Sequence, residues 1–157
     1  MQISRALAFL LFLGLTLSSP GAFAQKNTSQ AARELFDAAN RERREQGLPT
    51  LRWNPALADA ARRHAQLLAE HKSLSHQFPD EPSLPARATR AGARFTTIAE
   101  NVAEAPSASA IHTLWMQSPH HRANILDRDL DSIGIAVAQR NGQMYATEDF
   151  SKAVARP

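Results

Sequence analysis

Apolar residues recur at helical spacing in two long segments near the start of the chain. From Ser29 or Gln30 onward, apolar residues at steps of three and four predict one amphipathic helix that ends before Gly47. Asn54 and Pro55 predict the start of a second helix, because asparagine can cap free amides and proline loses no hydrogen bond at the first helical position. The apolar stripe of this second helix contains Leu57, Ala60, Ala61, His64, Leu67, Leu68 and His71.

Three segments in the second half of the chain are typical of β-strands, at residues 95–102, 132–140 and 143–150. Asn141 and Gly142 separate the last two segments and predict a tight hairpin, because both residues tolerate positive φ. The hairpin strands carry apolar residues on both sides, which predicts a sheet covered by helices on each face.

A proline-rich loop is predicted at residues 77–85. Three shorter helices are predicted at residues 84–91, 108–117 and 120–126. Ser107 and Ser118 stand where each of the last two helices would begin, and serine is a good N-cap residue.

The beginning of the chain has the pattern of a secretory signal peptide. Arg5 precedes an apolar run at residues 6–17, and the small residues Ala22 and Ala24 follow. A run of about 12 residues is too short to span a bilayer, which takes about 20. We therefore expect residues 1–24 to be removed after Ala24, giving a secreted or periplasmic protein without a membrane span.

Composition restricts the protein class further. The chain has no cysteine, so neither disulfides nor a lipid-modified cysteine can hold or anchor it. Its formal net charge of +3 implies no nucleic-acid partner, because phosphate binding needs a clustered basic surface. Arg41, Arg43 and Arg44 do cluster, but Glu42 and Glu45 are interleaved with or next to them, which predicts a solvated helix face with local charge pairs.

Two histidines and one glutamate are the candidate site residues: His76, Glu100 and His121. Two imidazoles and a carboxylate are a plausible ligand set for zinc with an open fourth position. The same three side chains would equally form a buried polar network in which Glu100 fixes the histidine tautomers and no metal is bound. We interpret His64 as a hydrogen-bonded core residue. The role of His71 is left open, because it lies at the end of the second predicted helix, close to residues 74–76.

The segments around these residues are LSH at residues 74–76, IAEN at 98–101 and WMQSPHHRANIL at 115–126. In this order they resemble the CAP superfamily (cysteine-rich secretory proteins, antigen 5 and pathogenesis-related class 1), in its short bacterial SCP-like form. The likeness covers about residues 31–151 of a single domain at 25–157. It implies an α+β fold, a three-layer α-β-α sandwich with a small, mainly antiparallel sheet. We expect a monomer, although the sequence does not determine the oligomeric state. The resemblance also implies that His76, Glu100 and His121 share a cleft, which in several members binds divalent cations.

Several positions differ from the family pattern. Ser118 replaces a second cleft glutamate found in many members, so any zinc should bind weakly. His120 and Ala99 replace the usual glycines. Adjacent helical residues point about 100° apart, so we expect His121 to face the cleft and His120 to lie on its rim.

Two acidic residues in the last predicted strand are also unusual. Glu148 and Asp149 stand where bacterial relatives commonly have a glutamine and an apolar residue. Buried acids are unfavourable unless paired. They therefore either face the cleft or lie in a strand that is more exposed than in the relatives.

We expect a binding or interaction module for an extracellular or envelope ligand, with weak zinc binding at the cleft. The alternative is a metal-dependent hydrolase of peptide or cell-envelope material, in which Glu100 acts as general base. Lipid or sterol binding, known from some eukaryotic members, is a lower alternative. A serine hydrolase using Ser75 or Ser118 is disfavoured because the chain has no GxSxG elbow.

Overall fold

The computed structural model describes residues 20–154, which form five helices and four strands. None of the helices in this span is long and apolar enough to cross a bilayer. In chain order the elements are α1 Pro20–Glu45, β1 Arg52–Trp53, α2 Pro55–His71, α3 Leu84–Arg90, β2 Phe95–Ala105, α4 Ala108–Gln117, α5 Pro119–Leu126, β3 Ser132–Arg140 and β4 Gln143–Ala153.

The four strands form one sheet in the order β1, β3, β4, β2. β1 is parallel to β3, whereas β4 is antiparallel to both β3 and β2. In the turn between β3 and β4, φ is 51° at Asn141 and 79° at Gly142, as the hairpin prediction requires. The predicted register is confirmed, with Val137 opposite Ala146.

Helices cover both faces of the sheet. α2 packs on one face, and α1 and α4 pack on the other, with α5 next to them. The larger apolar core lies on the α1 side and includes Leu35, Ile111, Trp115, Ile125, Ile133, Ile135 and Phe150. The predicted α+β fold, a three-layer sandwich with a small and mainly antiparallel sheet, is therefore confirmed.

α2 lies unusually close to the sheet at Gly134 in β3. A Cβ atom at this position would lie 2.1 Å from the backbone nitrogen of Ala58 and 2.4 Å from the carbonyl carbon of Leu57. Both are backbone atoms of α2, so they cannot move aside as a flexible side chain would. Glycine at position 134 is what allows α2 to contact the strand.

Gly134→Ala should therefore lower the free energy of unfolding by at least about 2 to 3 kcal/mol, the upper part of the range for an overpacked core. Urea denaturation measures the change. Gly47→Ala is the matched control, because Gly47 has φ of 67° but nothing within 4 Å of its Cβ position. Gly47→Ala should lower the free energy of unfolding by only about 1 to 2 kcal/mol, the cost of placing a residue with a Cβ at positive φ. Equal losses in the two variants would contradict the steric explanation.

α1 begins at Pro20, earlier than the predicted start at Ser29 or Gln30. Within the additional turns, the hydroxyl of Thr28 donates to the backbone carbonyl of Gln25 at 3.1 Å. The predicted signal peptide falls mostly on residues 1–19, which lie outside the described residues. Signal cleavage after Ala24 stays a prediction.

The prediction of a solvated arginine face was wrong for Arg43, which is fully buried. Its guanidinium donates hydrogen bonds to the carbonyl oxygens of Pro49, Ile125, Asp127 and Leu130 at 2.7 to 3.2 Å. Three of the four partners lie more than 80 residues away in sequence, so local charge alternation could not reveal them. Arg43 fixes the end of α1 to the connection between α5 and β3.

Candidate functional site

The predicted pairing of His76 with Glu100 is present at the open edge of β2. Nδ1 of His76 lies 2.8 Å from Oε1 of Glu100. Because a carboxylate accepts hydrogen bonds, Nδ1 is assigned as the donor, which leaves Nε2 of His76 available to a ligand. The side chain of His76 is 64% exposed, whereas that of Glu100 is 2% exposed. An exposed imidazole is therefore held by a hydrogen bond to a buried carboxylate.

Arg87, in α3, fixes both members of this pair. Its Nη2 donates to Oε2 of Glu100, and its Nη1 donates to the backbone carbonyl of His76 at 3.1 Å. The guanidinium thus holds the carboxylate and the loop that carries the imidazole at the same time. Arg87 was not predicted from the sequence, because nothing in a seven-residue helix marks one arginine as buried.

A second histidine and glutamate, His64 and Glu81, lie next to the pair of His76 and Glu100 and support it. Nδ1 of His64 lies 2.7 and 2.9 Å from the two carboxylate oxygens of Glu81, and Nε2 lies 2.8 Å from the carbonyl oxygen of Ser75. Burial lowers the pKa of His64, the nearby charge of Arg87 lowers it further, and Glu81 opposes both effects. His64 is a hydrogen-bonded core residue, as interpreted from the sequence. Its contact with Ser75 positions the residue immediately before His76.

His71 is not part of this network. Its ring stacks on that of Phe78, with centroids 4.3 Å apart. The sequence placed Glu81 only in the predicted proline-rich loop, yet its carboxylate is buried beside His64. A glutamate in a loop between two prolines gave no signal that could separate a buried acid from a solvated one.

The third candidate residue, His121, comes from α5 on the other face of the sheet. Because β2 is the last strand of the sheet, residues from both helical layers can meet at its edge. Asn101 Nδ2 donates to the backbone carbonyl of His121 at 3.0 Å, and Asn124 Nδ2 donates to Asn101 Oδ1 at 2.8 Å. Asn101 therefore connects β2 to α5 directly beside Glu100.

The environment of His121 differs from that of its neighbour His120. His121 is half-buried, and burial lowers its pKa, followed by the charges of His76 and His120. His120 is exposed. A lowered pKa keeps the His121 imidazole neutral near pH 7, which is the form that donates a lone pair to a ligand.

Residues 36–150 match the sequence profile of the cysteine-rich secretory protein family, CAP. The chain belongs to the CAP family. Its fold also matches that of an extracellular SCP-domain protein from Bacillus anthracis, with a TM-score of 0.77, 24% identity, and coverage of 88% of this chain and 45% of that one. An outer surface protein from Borrelia burgdorferi matches with a TM-score of 0.73, 19% identity, and coverage of 80% of this chain and 94% of that one.

Among curated sequences, this CAP chain is 26% identical over 130 residues to the uncharacterized protein YkwD from Bacillus subtilis, covering 82% of this chain and 50% of YkwD. The CAP chain thus spans about half the length of that relative. The structural likenesses are below 25% identity and establish the fold of the CAP domain.

The two acids of β4, Glu148 and Asp149, are fully buried and lie on opposite faces of the sheet. Glu148 lies opposite Ile135, as predicted, and its Oε2 accepts from Asn101 Nδ2 at 3.2 Å. Asp149 lies opposite Glu100 on the α2 face. The alternative of a more exposed strand was wrong, because both residues have 0% exposure. In the pairing of β4 with β2 they lie opposite Asn101 and Glu100.

Burial raises the pKa of both acids. The pKa of Glu148 rises to about 8, a rise opposed by the hydrogen bond from Asn101 and increased by Asp149. The pKa of Asp149 rises to about 7, with the charge of Arg87 opposing the rise and that of Glu81 adding to it. Glu148 is therefore mostly protonated at neutral pH.

The carboxylate of Glu100 is poorly placed for a metal ion. Its two oxygens contact Arg87 and His76, so it orients the imidazole. Within residues 20–154, no group of three or more His, Asp or Glu side chains has a metal-binding arrangement.

Neither candidate serine resembles an activated nucleophile. The hydroxyl of Ser75 donates to the carbonyl oxygen of Gln77 at 2.7 Å. Ser118 stands at the N-cap position of α5, but its side chain makes no capping hydrogen bond, contrary to the prediction. The helix start there is supported by Pro119, whose fixed φ suits the first helical position.

Proposed function

We propose that this CAP protein is an extracytoplasmic binding module whose ligand contacts a cleft formed by His76, Glu100 and His121. The observation that carries the proposal is the imidazole of His76, which is exposed to solvent yet held by a buried Glu100–Arg87 pair. A side chain fixed in this way is preorganised for binding, because little conformational entropy is lost when a ligand arrives. The signal-peptide pattern and the likeness to the extracellular SCP-domain protein from Bacillus anthracis support an extracytoplasmic location.

The cleft also supports weak binding of a divalent metal ion. His76 and His121 supply two nitrogen donors, and Glu100 acts as an outer carboxylate that fixes the His76 tautomer. Catalytic zinc sites usually have three protein ligands, so two imidazoles imply lower affinity. When bound, the ion would add a positive charge that attracts a carboxylate or carbonyl of the ligand.

The same contacts favour binding over hydrolysis. A general base needs a carboxylate oxygen free to accept a proton, but both oxygens of Glu100 are already engaged. The hydroxyl of Ser75 donates its proton to the backbone carbonyl of Gln77. Binding is the activity that these residues can perform as they stand.

Calorimetric titration with zinc tests the proposal. We expect the wild-type protein to bind, and His76→Ala and His121→Ala each to weaken binding at least about 10-fold, because each removes one of two donors. His120→Ala is the matched control, since His120 is an exposed neighbour on the same helix. Two results would remove the metal from the proposal. One is a binding heat that neither His76→Ala nor His121→Ala changes, and the other is an equal loss of binding heat in His120→Ala.

A further inference from the structure

The sheet has a second open edge, on the side opposite the cleft. β1 pairs only with Ser132 and Ile133 of β3, because Asn54 and Pro55 then turn the chain into α2. Within residues 20–154, the remainder of β3 has a strand partner on one side alone, which is β4. The outer side of β3 beyond Ile133 therefore has no strand partner among the described residues.

The register identifies the backbone groups that face outward. A two-residue turn makes Arg140 and Gln143 a hydrogen-bonded pair, so alternate residues of β3 direct their N–H and C=O groups away from β4. Ile133 belongs to the outward set, and its carbonyl oxygen accepts from the Asn54 N–H at 2.7 Å. By the same alternation, Ile135, Val137 and Gln139 face outward.

This backbone lies at the base of a groove of about 900 Å³ between α1 and α2. Ala32 and Phe36 of α1 form one wall, and Ala58 of α2 forms part of the other. Trp53 closes the end beside β1, with its ring edge-on to Phe36 at a centroid distance of 5.5 Å. The groove therefore combines apolar walls with a row of backbone hydrogen-bonding groups.

The charged residues on the rim indicate the charge of an occupant. Arg33 and Asp37 lie on the α1 side, and Asp59 and Arg62 lie on the α2 side. The carboxylate of Asp59 already pairs with the guanidinium of Arg62 at 2.5 Å. The formal charges of these four residues cancel, which favours an occupant without net charge.

We propose that this groove binds an uncharged, extended peptide segment of a partner protein, which adds to β3 as a new strand in continuation of β1. About five residues would cover the free part of β3, at about 3.3 Å per residue. Alternate side chains of the peptide would face α1 and α2 in turn. The α1 wall suits large apolar side chains, and the α2 wall, with Ala58, Asp59 and Arg62, suits small or polar ones.

Two features favour a peptide over other occupants. An acyl chain would fill the apolar walls but leave the outward N–H and C=O groups without partners, which is unfavourable once they are shielded from water. A second copy of this chain could not bring its own β3 edge into contact, because α1 and α2 stand on either side of that edge. Strand addition satisfies the backbone groups and fits between the helices. This interaction is independent of the His76 cleft.

Selection of displayed random heptapeptides on the immobilised protein tests the proposal, using Gln139→Pro as the counter-target. Proline at 139 removes an outward N–H without removing a bond to β4, and proline is tolerated on an edge. Gln139→Ala is the matched control, because it keeps the N–H. We expect enriched peptides with alternating apolar residues that bind Gln139→Pro at least about 10-fold more weakly, an effect of the size expected for one lost hydrogen bond, and bind Gln139→Ala equally.

N-methylation of the selected peptide provides the second measurement. Methylating alternate amides on the side facing β3 should abolish binding, while methylating the intervening amides should not. Three outcomes would overturn the proposal: no peptide enriched over the Gln139→Pro counter-target, affinity insensitive to N-methylation, or self-association of the wild-type protein that Gln139→Pro removes. Tight binding of a fluorescent fatty acid that is equal in wild type and Gln139→Pro and competes with the peptide would assign the groove to lipid instead.

Discussion

Arg87→Met is expected to lower the free energy of unfolding by about 3 to 5 kcal/mol at neutral pH, the usual effect of removing one partner from a buried ion pair. The variant would leave Glu100 without its guanidinium partner and the nearby acids Glu81 and Asp149 without a compensating positive charge. Burial lowers the pKa of Arg87, but the charges of Asp149 and Glu81 raise it again. The arginine therefore stays charged and neutralises the acids around it.

Urea denaturation measures this loss, with Arg90→Met as the matched control on the exposed side of the same helix. The control should change stability by less than about 0.5 kcal/mol, as is usual for exposed positions. The loss in Arg87→Met should shrink as the pH falls towards 4, because the uncompensated carboxylates then become protonated. A loss that is independent of pH would indicate a packing defect in place of a charge defect.

The second large effect is a fall in stability with rising pH, caused by the two buried acids of β4. Glu148 has a pKa of about 8 in the folded protein against an ordinary value of 4.5, and Asp149 has about 7 against 3.8. Between the unfolded and folded values, the folded state holds protons that the unfolded chain has released. Their contribution is therefore complete below about pH 4 and is lost as the pH rises to about 8.

Glu148→Gln should remove the larger part of this slope, because an amide can accept the hydrogen bond from Asn101 but does not ionise. At pH 8 the variant should be more stable than the wild type by an amount on the order of 2 to 4 kcal/mol, from about 1.4 kcal/mol per unit of pKa difference. Denaturation at several pH values from 5 to 8 measures it. Glu70→Gln, at an exposed position of α2, should leave the slope unchanged. Parallel pH profiles for wild type and Glu148→Gln would show that Glu148 is ionised without penalty.

Local patterns in the sequence were enough to predict most of the helices and strands, whereas the three-layer arrangement was implied mainly by the family resemblance. The Asn141–Gly142 turn fixed the register of the hairpin, and Asn54 accepts from the amides of Ala56 and Leu57 at the start of α2. These interactions connect residues within a few positions of one another. A helical periodicity or a turn motif in the sequence can therefore predict these interactions.

The candidate site was only partly predictable for the opposite reason. The pairing of His76 with Glu100 joins residues 24 apart, and family resemblance suggested it. Arg43, Glu81 and Arg87 hold the core and the site through partners that no local pattern indicates. In each case the signal lies in the tertiary contact, because an arginine or glutamate in a charged segment is usually solvated.

The anchoring of Arg43 has a practical consequence for labelling this protein. The connection between α5 and β3 and the hairpin tip at Asn141 are the two surface loops that flank β3, and either is a natural choice for an inserted tag. Arg43 holds three carbonyl oxygens of residues 125–130, so an insertion there would detach the last turn of α1. The tip at Asn141 and Gly142 has no such attachment to a helix, and a fluorophore or affinity epitope belongs there.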